Sequence, residues 1–303
     1  MSTAQLTPVG VSVQNVLIAT DFSRYSDAAL IYGLRLAKTY RAKAYVVSVV
    51  PANQFLLASP SAYVAAKDAA FRDLGGLKAD LKRACSYEEG KDYHLFLLEG
   101  NVAESILEFA CQKRIDLIVL GTHGRSGFSK ALMGSVAEGV FRASRIPVVT
   151  VGPKLRDSTP TEPVRNILVA ADCTAASERA VECAASLARE HTAGLTVIHV
   201  LHPLPTDEVE RARTLQKVNS RLAELLNRKA GGVQSSLLIR EGEVVPTILK
   251  SACETGADLL VIGVRPSSGF LDRLMFPHAY RIVCESPCPV LTLREGPRSE
   301  NLN

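Results

Sequence analysis

No apolar run in this chain reaches the roughly 18 residues needed to cross a bilayer. The opening MSTAQLTPVGVSVQ lacks the basic-then-apolar pattern of a secretory signal, so neither a membrane span nor a signal peptide is expected. The seven cysteines (85, 111, 173, 183, 253, 284 and 288) form no CxxC pair, and no histidine cluster lies near them. That argues against zinc or a disulfide framework, and for small buried thiols in a reducing, cytoplasmic compartment. Net charge is only +4, with Lys and Arg interspersed among Asp and Glu. Without a basic stripe interleaved with aromatics, nucleic acid is not an expected partner. Two nucleotide signatures are missing as well. There is no GxxxxGK[ST], which excludes a P-loop, and no GxGxxG after the first strand, which argues against a Rossmann dinucleotide site.

What the chain does have is itself, twice. Its 303 residues, 47% of them hydrophobic, suffice for one large domain or two of about 150 residues. NVLIATDFSRYSDAAL at 15–30 returns as NILVAADCTAASERAV at 166–181, and YVVSVV at 45–50 returns as TVIHVL at 196–201, both at an offset of 151. RIDLIVLGTHGRSGF at 114–128 returns as GADLLVIGVRPSSGF at 256–270, and IPVVTV at 146–151 as CPVLTL at 288–293, both at an offset of 142. The first copy therefore carries nine more residues around its second helix. A period this long fits duplicated domains rather than a solenoid. They are placed at 12–152 and 163–294, with the Pro-, Ser- and Thr-rich GPKLRDSTPTEP at 152–163 as linker.

Within the first copy the pattern alternates. Asn15 to Thr20 reads as a buried strand, followed by a helix capped by Ser23 or Ser26, with Leu30, Leu34 and Ala37 at helical spacing. A strand at 45–50, a helix at 61–84 and a strand at 94–98 come next. Asn101 with Glu104 suggests a capping box, and strands at 115–120 and 146–151 flank a helix beginning near Ser135. Wholly apolar strands alternating with helices imply two tandem doubly wound α/β domains, each a roughly five-stranded parallel sheet with helices on both faces.

The stretch GTHGRSGFSKALMGS at 121–135 follows the fourth strand. In doubly wound sheets, ligands bind at the carboxyl ends of the strands, where the strand order reverses. Glycines there let backbone amides approach a ligand, and Gly134-Ser135 at a helix start favours an anion. Asp21, at the end of the first strand, is placed for a ribose hydroxyl or a metal ion. This chemistry suits a nucleotide, although the same glycines would also serve a tight loop and helix packing without any ligand.

Gly121-Thr122-His123-Gly124, nine residues, then Gly134-Ser135 resembles the nucleotide-binding signature of the universal stress protein family. The opening and closing strands resemble that family too, over both halves. The resemblance implies an adenine nucleotide alpha hydrolase-like fold, and ATP or AMP with Mg2+ or Mn2+ as ligand. It implies that Ala19, Thr20 and Asp21 contact adenine and ribose and that Val49 walls the adenine. Gly121, Thr122, His123, Gly124, Arg125, Ser126 and Gly127 would wrap ribose and phosphates, with Ser135, Val136 and Ala137 offering a hydroxyl and amides beyond Gly134. It also implies a regulatory, stress-protective role with at most slow hydrolysis, an unidentified protein partner, and a last strand that pairs across a dimer axis. Here the two domains would satisfy each other as a pseudo-dimer, and a homodimer of chains is a further expectation. A weak ATPase and a nucleotide-independent interaction module are the alternatives.

The second copy departs where it matters. Gly124 becomes Pro266, Gly134 becomes Phe276 and Ser135 becomes Pro277. These changes remove amides, and they put a ring where the smallest residue stood. One nucleotide per chain, in the first domain, is the expectation, with the second domain a pseudo-subunit. Asp172 matches Asp21, but an Asp after a strand is often a helix cap. His123 has no nucleophile or orienting carboxylate in its motif, so a backbone contact is expected of it rather than base catalysis. Cys111 and Cys253, equivalent at offset 142, read as a shared core position, and Leu215, Val218, Leu222 and Leu225 as the buried stripe of a helix.

Overall fold

A computed structural model describes residues 13–51, 59–123, 133–152, 164–202, 206–265 and 277–294. The chain divides into two compact units on either side of Thr159–Pro160.

The first unit runs β1 (Asn15–Ala19), α1 (Arg24–Tyr40), β2 (Lys43–Val50), α2 (Pro60–Cys85), β3 (His94–Glu99), α3 (Val102–Gln112), β4 (Leu117–Gly121), α4 (Ser135–Ala143) and β5 (Val148–Val151). Its strands are parallel, in the order β3-β2-β1-β4-β5. The strand order reverses between β1 and β4, which places the switch point there. The second unit repeats the scheme with β6 (Asn166–Ala170), α5 (Ala175–His191), β7 (Gly194–Leu201), α6 (Glu208–Lys229), β8 (Ser235–Glu241), α7 (Val244–Glu254), β9 (Leu259–Val264), α8 (Pro277–Glu285) and β10 (Val290–Arg294). Its parallel order is β8-β7-β6-β9-β10. Of the nine extra residues in the first copy, four lie in α2, which has 26 residues against 22 in α6.

The central strands are apolar because both faces are covered. Leu17, Ile18, Ile118 and Val119 are fully buried, as are Leu168, Leu260 and Val261 in the second unit. An aspartate ties the amino ends of the two central strands in each unit. Asp116 accepts from the amides of Gln14 and Asn15 at 2.8 and 2.9 Å, and Asp258 accepts from those of Arg165 and Asn166 at 2.9 Å each.

Ser23 rather than Ser26 caps α1, accepting from the Ser26 amide at 3.3 Å, while the Ser26 hydroxyl donates to the Ser23 carbonyl at 2.9 Å. The α1 turn closes on Arg41 in the left-handed region (φ 53°), whose amide returns to the last helical carbonyls. Asn101 caps α3 through the Glu104 amide at 3.4 Å. Leu222 and Leu225 are buried on α6 with Leu215 and Val218 half-buried beside them, as the stripe predicts.

The cysteine reading needs correction. Cys183, Cys284 and Cys288 are buried, but Cys111 and Cys253 are exposed. They do occupy equivalent positions, on α3 and α7, yet on the outward side of each helix, where a thiol adds nothing to the core. Among the described residues, no helix is long and apolar enough to cross a membrane.

Candidate nucleotide-binding crevice

Three chain segments converge at the carboxyl end of the first sheet. β1 ends at Ala19, and the Thr20 amide continues the ladder to the Val47 carbonyl at 2.9 Å. Thr20 is buried, its hydroxyl sharing a hydrogen bond with the Ser26 hydroxyl at 3.1 Å and accepting from the Phe22 amide at 3.1 Å. The Asp21 carboxylate accepts from the Ser23 amide at 3.1 Å, and Phe22 takes a left-handed conformation (φ 61°) to complete the turn. Asp21 is thereby aimed by its own turn, half-buried at the crevice edge.

The second segment is the end of β4. Thr122 is fully buried, and its amide donates to the Val151 carbonyl at 3.0 Å. Its hydroxyl shares a hydrogen bond with His123 Nδ1 at 2.9 Å. His123 is buried as well, so the ring is engaged by its neighbour rather than displayed as a base in solvent.

The third segment is the start of α4. The Gly134 amide donates to the Thr122 carbonyl at 2.8 Å, which fastens the helix start to the end of β4. Gly134 is the N-cap and supplies no side-chain cap to the first amides of the helix. Ser135 is exposed, Val136 half-buried and Ala137 buried at that end. An uncapped helix start carries the positive end of the dipole and amides seeking an acceptor. Val49 lies one strand over on β2. Ala19 is in register with Val47, so half-buried Val49 stands at the same carboxyl edge.

Of the residues singled out in the sequence, the structure thus brings Ala19, Thr20, Asp21, Val49, Gly121, Thr122, His123 and Gly134 through Ala137 to one edge of the sheet. Gly124, Arg125, Ser126 and Gly127 lie outside the described residues.

The second unit repeats the launch from its first strand. Ala171 repeats the ladder contact, its amide donating to the Ile198 carbonyl at 2.9 Å. Asp172 repeats the turn, accepting from the Thr174 amide at 3.1 Å, and Cys173 is left-handed at φ 60°. The helix cap is Thr174 rather than Asp172, and it forms a reciprocal box with Ser177.

Two differences were not anticipated from the sequence. Thr20 is replaced by Ala171, which has no hydroxyl to offer Ser177. Arg265, the counterpart of His123, places its guanidinium 3.6 Å from the Asp172 carboxylate. Partial burial pushes the Asp172 carboxyl up, but hydrogen bonds from Thr174 and Ser177 together with Arg265 outweigh it, and the group sits below its ordinary value. The signal is present in the aligned sequences as His123 against Arg265.

The profile of the universal stress protein family matches this chain at residues 12–152 and again at 163–294. The chain belongs to the universal stress protein family. It is 32% identical over 138 residues to a universal stress protein of Methanocaldococcus jannaschii, covering 46% of this chain and 81% of that one. Identity to universal stress protein YxiE of Bacillus subtilis is 29% over 144 residues, 42% of this chain and 97% of that one. Each of these relatives thus corresponds to about half of the chain. The crystal structure of a universal stress protein from Archaeoglobus fulgidus matches with a TM-score of 0.71 at 22% identity, covering 96% of this chain and 99% of that one. A functionally unknown protein from Pseudomonas aeruginosa matches with a TM-score of 0.64 at 18% identity, over 94% and 93% of the two chains. At such identities these likenesses show the fold, here spanning both universal stress protein domains.

Proposed function

We propose that this universal stress protein binds one adenine nucleotide per chain, ATP or AMP, in the crevice of the first domain, and acts as a cytoplasmic regulator under stress or growth arrest. The observation that carries the reading is the Gly134–Thr122 hydrogen bond. It fastens the uncapped start of α4 to the end of β4, next to β1 in the sheet, which supports a site in which amides, a hydroxyl and the Asp21 carboxylate serve one ligand at the switch point. The amides and Ser135 take phosphate, Asp21 takes the ribose, and Val49 walls the base. Among the described residues there is no cluster of three or more His, Cys, Asp or Glu. In this reading a divalent cation rides on the nucleotide's phosphates, with the Asp21 carboxylate near it and Asp27 close enough to Asp21 for the two charges to repel.

The second domain serves as a pseudo-subunit in this reading. Its carboxylate is engaged by Arg265, and Pro277 stands where Ser135 offers an amide and a hydroxyl. Nucleotide stoichiometry by native mass spectrometry, on protein as purified and after ATP with magnesium, tests the proposal. One nucleotide per chain, lost in Gly134→Phe, is the expected result. Two equivalent nucleotides would overturn the pseudo-subunit assignment, and none would move the function to protein–protein interaction.

A further inference from the structure

A surface helix ordinarily turns its charged residues outward, and α6 does so. Apart from Val209 in its first turn, 58% exposed, its outward positions are mostly polar or charged, among them Arg213, Lys217, Asn219 and Glu224. Its counterpart α2 does not. Val64 and Phe71 are 57% and 55% exposed and stand two helical turns apart on one face. Gly75 continues that face in the interior of a 26-residue helix, and Gly76 lies beside it about 100° further round. A Cβ added to either would meet nothing within 4 Å. Each costs about 1 kcal/mol of helix stability relative to alanine, and among the described residues no packing contact gives a reason for either. Asp68 and Arg72, exposed on the same face, form no ion pair with any other group among the described residues.

We infer that this face of α2 docks against α2 of a second copy of the chain, with the two helices antiparallel. The face is complementary to itself. A two-fold axis near residue 70 sets Val64 of each copy against Gly75 of the other, so the aliphatic group meets an absent side chain. The same axis brings Asp68 beside the Arg72 of the opposing copy, twice, and places the two Phe71 rings at the centre. Backbone approach over glycine is then what the helix obtains for its lost stability. At 1.5 Å per residue α2 is roughly 39 Å long. One helix pair stays at the low end of specific interfaces, below about 1,200 Å². The association is therefore weak and reversible.

Sedimentation equilibrium of the full chain over a wide concentration range tests this, with far-UV circular dichroism as a check on folding. The wild type is expected to self-associate. Asp68→Arg and Arg72→Asp are each expected to weaken that association by about tenfold or more, because like charges then face each other. An equimolar mixture of the two variants is expected to form a heterodimer, since both cross-pairs become attractive. Gly75→Ala with Gly76→Ala is expected to raise the melting temperature and yet weaken association. A wild type that stays monomeric at every concentration overturns the proposal. So do charge variants that associate like wild type, and a mixture that fails to recover association.

Discussion

The amide of Gly134 donates to the carbonyl of Thr122 at 2.8 Å, and the φ of Gly134 is −61°. The first fact fixes where α4 begins, and the second says that any L-residue could stand there without backbone strain. Gly134→Phe should therefore leave the domain folded while its ring fills the space beside the helix amides. Losing two amide-to-phosphate hydrogen bonds, worth about 1.5–3 kcal/mol each, lowers affinity by about a hundredfold or more. Calorimetric titration with ATP reads the loss, and an unchanged melting temperature of the ligand-free protein separates it from misfolding.

The alternation of strands and helices was legible because buried parallel strands are apolar at every position, as in NVLIA and LIVLG. Boundaries moved by a residue or three. β2 begins at Lys43 and β7 at Gly194, where ladder hydrogen bonds extend past the apolar run, whereas β4 starts only at Leu117. That the candidate residues fall at strand ends was legible for the same reason, since the end of an apolar run marks the carboxyl end of the sheet. Orientation was not. That Cys111 and Cys253 face outward depends on helix rotation, which a pair of matched positions cannot give. The Arg265–Asp172 contact joins residues far apart in the chain, so only the folded sheet brings them together.

Asp172 makes the second domain's acid stability measurable. Its carboxyl is held below the ordinary value of 3.8, so the ionised form is favoured by folding. The stability it contributes is complete above that value and is lost as pH falls through the depressed one. Melting temperatures between pH 5 and about pH 2 should decline less steeply in Asp172→Asn than in the wild type. Equal slopes would show that the hydroxyls and Arg265 do not hold the charge.

Thiol reactivity should divide along the burial pattern. Burial pushes the Cys183 thiol up to about 12 and the Cys288 thiol up to about 11. At pH 8 a thiol at 12 is ionised about one part in ten thousand, against about a quarter for an ordinary cysteine. Brief iodoacetamide treatment of the native protein should label Cys111 and Cys253 first, leaving Cys183 and Cys288 unlabelled until denaturant is added. Peptide mass mapping reads the order.

Two glycine-to-alanine changes should move stability in opposite directions. A Cβ on Gly263 would lie 2.2 Å from the carbonyl oxygen of Ala176, so α5 must shift off β9. Overpacking of this kind costs about 1–3 kcal/mol. Gly75→Ala meets open space and should add about 0.5–1 kcal/mol. Thermal melts of both variants in dilute protein decide it.

Phe22 and Cys173 hold the same left-handed angle, 61° and 60°, and each follows an aspartate that accepts from the amide two residues on. A non-glycine residue there costs about 1–2 kcal/mol, and both copies bear it, including the copy whose crevice has changed. The bend is therefore a part of the chassis and not of the cargo bay. For a protein engineer, the second domain is a socket with its mounting intact. Exchanging residues 264–277 for 122–135 would replace Arg265 with histidine and Pro277 with serine on a frame that already presents the carboxylate. The duplication then leaves a second frame that can be refitted without disturbing the first.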